Sequence, residues 1–153
     1  MSKEAEAFRY FILAAQRSGQ KLFKRLLQPE DITPSQAEVI SILARNQRIT
    51  LKELGNLLIC EDGSPSRLIN RMVKEELISR TPNDDDGRSV KLALTAKGME
   101  KHLHIQRVEQ ELYNRLEGLY SPSVLHEMND RLEKLLQETP DYLALQKRGF
   151  VQK

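Results

Sequence analysis

The chain has 153 residues, 30% of them charged and 5% aromatic, with no Trp. That composition is usual for a helical soluble protein, and the length fits one domain, or one small domain plus helices that pack elsewhere. The net charge of +2, from 24 Lys+Arg against 22 Asp+Glu, excludes a histone-like cationic coat, so any nucleic-acid binding must come from a local basic face.

The single cysteine, Cys60, excludes an intramolecular disulfide and a cysteine-based zinc cluster. No apolar run approaches the ~20 residues that span a bilayer. The acid-bearing start Ser2-Lys3-Glu4-Ala5-Glu6 is unlike a signal peptide. A cytoplasmic protein is expected, with no membrane attachment and no cofactor.

The first predicted element is a helix over 5–28. Phe8, Phe11, Ile12 and Ala15 recur at helical spacing, followed by Leu22, Phe23, Leu26 and Leu27. Gln28-Pro29-Glu30-Asp31 ends it. Thr33-Pro34-Ser35-Gln36 then supplies an N-cap, a first-turn proline and a capping-box glutamine. It opens a helix to about Arg45 that buries Val39, Ile40, Ile42 and Leu43. Thr50-Leu51-Lys52-Glu53 is a second capping box, starting a short helix with Leu51, Leu54, Leu57 and Leu58. Ser64-Pro65-Ser66 opens a third helix, to about Glu75.

The period then changes. Leu77-Ile78-Ser79-Arg80-Thr81 precedes Pro82-Asn83-Asp84-Asp85-Asp86-Gly87, after which Val90, Leu92 and Leu94 alternate with Ser89, Lys91 and Ala93. Alternation beside an Asp-Gly turn predicts a two-stranded hairpin that must lean on the helices. Thr95 caps a helix over 96–119, and Ser121-Pro122 starts a long one with Val124, Leu125, Met128, Leu132, Leu135 and Leu136. Thr139-Pro140 stops it, and the tail over 141–153 keeps Tyr142, Leu143, Leu145 and Phe150, too apolar to be wholly disordered.

Helix, helix, helix, strand, strand describes a winged helix-turn-helix, whose third helix enters a DNA major groove. At ~100° per residue, Pro65, Ile69, Met72 and Val73 fall on one side of Leu68, while Ser64, Ser66, Arg67, Asn70, Arg71 and Lys74 fall on the other. One face is core. The other offers three cations and three small hydrogen-bonding groups: Arg suits guanine, Asn suits adenine, and Ser suits phosphate or either base type. In the wing, Arg88 suits a narrow minor groove, and Asp86 is placed to orient its guanidinium by a charge-assisted hydrogen bond.

The stretch Asp86-Gly87-Arg88-Ser89-Val90-Lys91-Leu92-Ala93-Leu94-Thr95-Ala96-Lys97-Gly98 resembles the wing signature of the multiple-antibiotic-resistance regulator (MarR) family, D-x-R followed by a strand ending in L-T-x-x-G. Arg67-Leu68-Ile69-Asn70-Arg71-Met72 is similar to its recognition helix, Thr33-Pro34-Ser35-Gln36-Ala37-Glu38-Val39-Ile40 to its opening helix, and Leu51-Lys52-Glu53-Leu54-Gly55 to its second helix. The resemblance implies a mainly α fold with a small β-hairpin wing. It divides the chain into a DNA-binding domain over 33–98 and a helical dimerisation region over 1–32 and 99–153.

It further implies a homodimeric repressor that binds a pseudo-palindromic operator in double-stranded DNA and is released by a small-molecule inducer of unknown identity. Ser64, Ser66, Arg67, Asn70, Arg71 and Lys74 would meet the DNA major groove and its phosphates, Arg88 the minor groove, and Asp86 would support the wing. Two features depart from the family pattern: Glu61-Asp62 just before the recognition helix, and Glu76 where a glycine is common.

The contrasting reading is a winged-helix protein-interaction module without sequence-specific DNA binding. The acidic wing favours it, since residues 51–95 carry 7 Lys/Arg against 8 Asp/Glu. Cys60 reads more simply as a small buried hydrophobe than as an oxidant sensor, because its acidic neighbours disfavour a thiolate. His102, His104 and His126 lack partners at metal-ligand spacing, so no metal site is expected. Without a P-loop, nucleophile elbow or dinucleotide fingerprint, no catalytic residue is expected either.

Overall fold

The computed structural model describes residues 2–60 and 63–151. Helix α1 (Lys3–Leu27) is capped by the Ser2 hydroxyl and ends in a short 3-10 turn over Gln28–Glu30. Helix α2 (Pro34–Arg45) starts on a complete capping box, with the Thr33 hydroxyl accepting the Gln36 N–H and the Gln36 side chain accepting the Thr33 N–H. Strand β1 (Ile49–Thr50) leads into helix α3 (Leu51–Gly55), which has the reciprocal Thr50–Glu53 box. Helix α4 (Pro65–Lys74) follows, then strands β2 (Ile78–Pro82) and β3 (Val90–Leu94). Helices α5 (Ala96–Leu119), α6 (Pro122–Leu136) and α7 (Pro140–Lys147) complete the described chain.

The predicted hairpin is part of a three-stranded antiparallel sheet, ordered β1-β3-β2. The third strand, β1, pairs Ile49 with Leu92 and Thr50 with Lys91. Two residues are too short to show a period-two pattern, so this strand left no signal in the sequence. The tail also forms a regular element: Thr139 both ends α6 and caps α7, accepting the Tyr142 N–H.

An apolar cluster joins helices α1 to α5 and the sheet. It contains Val39, Ile40 and Leu43 of α2, Leu54 of α3, Ile69 and Met72 of α4, Ile78 and Leu92 of the sheet, and Ile105 and Val108 of α5. Helix α2 is central and is buried along most of its length. Helix α1 contributes only Leu27 as a fully buried residue, and α6 contributes none. The predicted apolar positions Phe8 and Phe11 stand 50% and 75% exposed on the single chain. Among the described residues, no helix is long and apolar enough to cross a membrane.

Candidate nucleic-acid interface

The core side of α4 is fixed by Ile69 and Met72, both buried, with Leu68 and Val73 packed partly beside them. Ser64, Ser66, Arg67, Asn70, Arg71 and Lys74 are all exposed on the remaining surface, and so are Asp86 and Arg88 in the wing. Ser64 stands at the N-cap position but does not spend its hydroxyl on capping. It pairs with the Ser66 hydroxyl at 2.9 Å instead.

Glu75 tethers Arg71. Its carboxylate accepts the Arg71 Nε–H at 2.9 Å and, at the other oxygen, the amide of buried Gln36 at 2.8 Å. The tether holds Arg71 firmly protonated. The ion pair is solvent-exposed, so it costs little to open when a phosphate or base competes for the guanidinium. Asn70 is engaged by the guanidinium of Arg80 on β2, which donates to Asn70 Oδ1. Sequence reading missed Arg80, because a contact between a helix face and a strand ten residues later has no local pattern.

The helix ends in a Schellman turn. The Leu77 N–H donates to the Met72 carbonyl, the Glu76 N–H donates to the Val73 carbonyl, and Glu76 adopts φ 60°. Glu76 thus makes the turn a glycine would make, at the steric cost of a side chain in the left-handed region. Thr95 then locks this turn to α5: its N–H donates to the Leu77 carbonyl, and its hydroxyl bonds the Glu76 carbonyl and accepts the Gly98 N–H. Gly98 is required there, since a Cβ on it would sit 2.2 Å from the Leu77 carbonyl oxygen. The L-T-x-x-G pattern therefore has a geometric cause.

The wing loop is folded on itself. Asn83, which is buried, donates to the Ser89 hydroxyl at 2.8 Å and accepts the Asp85 N–H. The Asp86 carboxylate accepts the backbone N–H of Arg88 at 3.0 Å, so the contact it makes shapes the turn and does not orient the guanidinium. Asp85 lies 3.9 Å from Lys91, which offsets part of the acidic tip.

A second feature that sequence reading missed lies behind the interface. Glu38, on buried α2, accepts the Ile59 and Cys60 N–H groups at 2.7 and 3.0 Å and pairs with Arg148 at 3.1 Å. One carboxylate thereby joins α2, the segment leading to α4 and the C-terminal segment. Cys60 is half-buried, and its carbonyl accepts from the Ser35 hydroxyl. The departure noted at Glu61-Asp62 lies outside the described residues.

The MarR family model matches residues 32–90. The multiple antibiotic resistance protein MarR of Salmonella typhimurium is 30% identical over 118 residues, which cover 76% of this chain and 81% of that protein. The chain belongs to the MarR family. The organic hydroperoxide resistance transcriptional regulator of Bacillus subtilis is 30% identical over 89 residues, 58% of this chain. The chain spans only 60% of that regulator's length, and a similar 66% of two further relatives, an HTH-type repressor from Pseudomonas putida and an HTH-type regulator from Staphylococcus saprophyticus. Among solved structures, a cysteine-to-serine mutant of Escherichia coli MarR complexed with operator DNA superposes with a TM-score of 0.77 at 26% identity, covering 87% of this chain and 96% of that one. The winged-helix fold of the MarR family is the fold of this chain.

Proposed function

We propose that the chain is a sequence-specific DNA-binding transcriptional regulator, acting in the cytoplasm as a homodimeric repressor on a pseudo-palindromic operator. The observation that carries this reading is α4 itself. Its apolar side is fixed in the core, and every polar side chain from Ser64 to Lys74 on its other side is exposed. The relative solved with operator DNA supports the same role. Residues 33–98 form the reading unit, with Ser64, Ser66, Arg67, Asn70, Arg71 and Lys74 in the major groove and Arg88 in the minor groove or on its phosphates. Asp86 holds the turn that presents Arg88.

Residues 1–32 and 99–153 form the dimerisation region. Its support is the apolar surface a single chain leaves bare: Phe11 at 75%, Leu119 at 72% and Leu135 at 55% exposed. A small-molecule inducer releases the DNA by favouring a different spacing of the two α4 helices. A cleft of about 360 Å³ between the end of α1 and α4 is lined by Lys21, Lys24, Arg25 and Arg71 against the carboxylate of Asp31, and this excess of cations supports an anionic ligand for that role.

The test is a mobility-shift titration at fixed salt against the chain's own upstream region and a random duplex. A preference for the upstream region is expected, and its absence overturns the reading. Arg71→Ala should cost ~1–3 kcal/mol per half-site, as base-reading arginines do. An unchanged affinity would mean that α4 does not enter the groove.

A further inference from the structure

Asn70 and Arg80 form a unit that neither residue's chemistry alone describes. Arg80 shares the helix-packed face of β2 with buried Ile78, and its guanidinium reaches Asn70 Oδ1 on the exposed side of α4. A guanidinium has donors and no acceptor. The amide group of Asn70 can therefore face Arg80 only through its oxygen, and its NH2 is turned away from the cation.

An unrestrained asparagine reads adenine because it offers an acceptor to N6–H and a donor to N7. Here one of the two lone pairs of that oxygen is taken by a charged donor. A further donor approaching the same oxygen, such as adenine N6–H, meets the positive field of Arg80. What the pair still presents is the Asn70 NH2 and the unused N–H groups of Arg80. The major-groove edge of guanine, with acceptors at both N7 and O6, is the purine edge that takes two donors side by side.

We infer that Arg80 is a specificity-determining residue, which converts Asn70 from an adenine reader into half of a donor-only unit that favours guanine. This rests on the DNA-binding reading above.

The test is a binding selection from a duplex pool with a randomised central segment, at one salt concentration, with the full-length protein and its Asn70→Ala, Arg80→Ala and Arg80→Lys variants. If the parent enriches no sequence, the DNA-binding reading itself fails. If it enriches a site, the column that flattens in Asn70→Ala is the position Asn70 reads. That column is expected to hold guanine for the parent and to shift toward adenine in Arg80→Ala, the guanine-to-adenine ratio changing about tenfold or more. Arg80→Lys keeps a charged donor for the amide oxygen and should keep guanine.

The parent protein provides a check that needs no variant to fold. Replacing that guanine by 7-deazaguanine, which lacks the N7 acceptor, should weaken binding by about tenfold. Adenine in the parent's column, an unshifted preference in Arg80→Ala, no flattened column in Asn70→Ala, or indifference to the 7-deaza substitution would each overturn the inference.

Discussion

Helices α4 and α6 are both amphipathic, and their surfaces are used in opposite ways. Helix α4 is ten residues long and sinks Ile69 and Met72 completely, leaving a surface of Ser, Arg, Asn and Lys. Helix α6 is fifteen residues long and has no fully buried residue, leaving Val124, Met128, Leu132 and Leu135 between 38% and 55% exposed. A polar surface on a well-anchored helix is free to meet a polar ligand. An apolar surface on an unanchored helix is unstable until something covers it. The contrast separates an element finished within one chain from one that is not.

Core truncation should split the two helices most widely. Met72→Ala removes a fully buried side chain and should lower unfolding stability by ~2–5 kcal/mol, independently of protein concentration. Met128→Ala should leave the stability of the isolated chain nearly unchanged and raise the concentration at which the protein self-associates. Chemical denaturation and sedimentation at several concentrations measure both, and equal losses in the two variants would erase the contrast.

The junction between α4 and α5 is the next most sensitive place. Gly98→Ala must push the Leu77 carbonyl aside and should cost ~1–3 kcal/mol, with DNA affinity falling at temperatures where the parent still binds. A melting temperature within a degree of the parent would show that the α4–α5 lock is looser than its geometry. Glu76→Gly relieves the left-handed strain at the other side of the same lock. Set against the greater freedom of glycine in the unfolded chain, the net gain should be ~0.5–1 kcal/mol.

The smallest expected effect is a pH dependence in the outer helices. Burial among α2, α5 and the C-terminal segment pushes the Glu109 carboxyl above its ordinary range, although Arg45 and Arg148 oppose the shift. The folded state therefore keeps this proton to higher pH than the unfolded chain does. The contribution is complete below the ordinary carboxylate pKa and is lost as pH rises through the raised one. Glu109→Gln should accordingly match the parent in acid and be slightly more stable at neutral pH. A variant less stable than the parent at neutral pH would show that the two arginines dominate.

Much of the fold was legible because its start signals are local. The capping boxes at Thr33 and Thr50 and the caps at Thr95 and Ser121 are three- or four-residue patterns, and each marks a helix start. The two faces of α4 followed from helical geometry alone. What escaped depends on distance along the chain. Strand β1 exists only because β3 lies beside it, and Arg80 acquires its meaning only when β2 is laid against α4. Glu38 looks like one more charge on a helix, until Arg148, 110 positions away, closes on it. The apolar stripes of α1 and α6 were also legible, being longer than so small a chain can bury alone, and they stand exposed as that length implies.

The Glu38 carboxylate has a practical bearing on how the protein is handled. It sits 7% exposed, with Arg148 as its counter-charge, and a buried carboxylate stripped of its cation destabilises its surroundings by several kcal/mol, here at the segment that launches α4. A clone trimmed before Arg148, or a bulky fusion that pries this segment loose, would mimic a DNA-binding defect while leaving every exposed side chain of α4 intact.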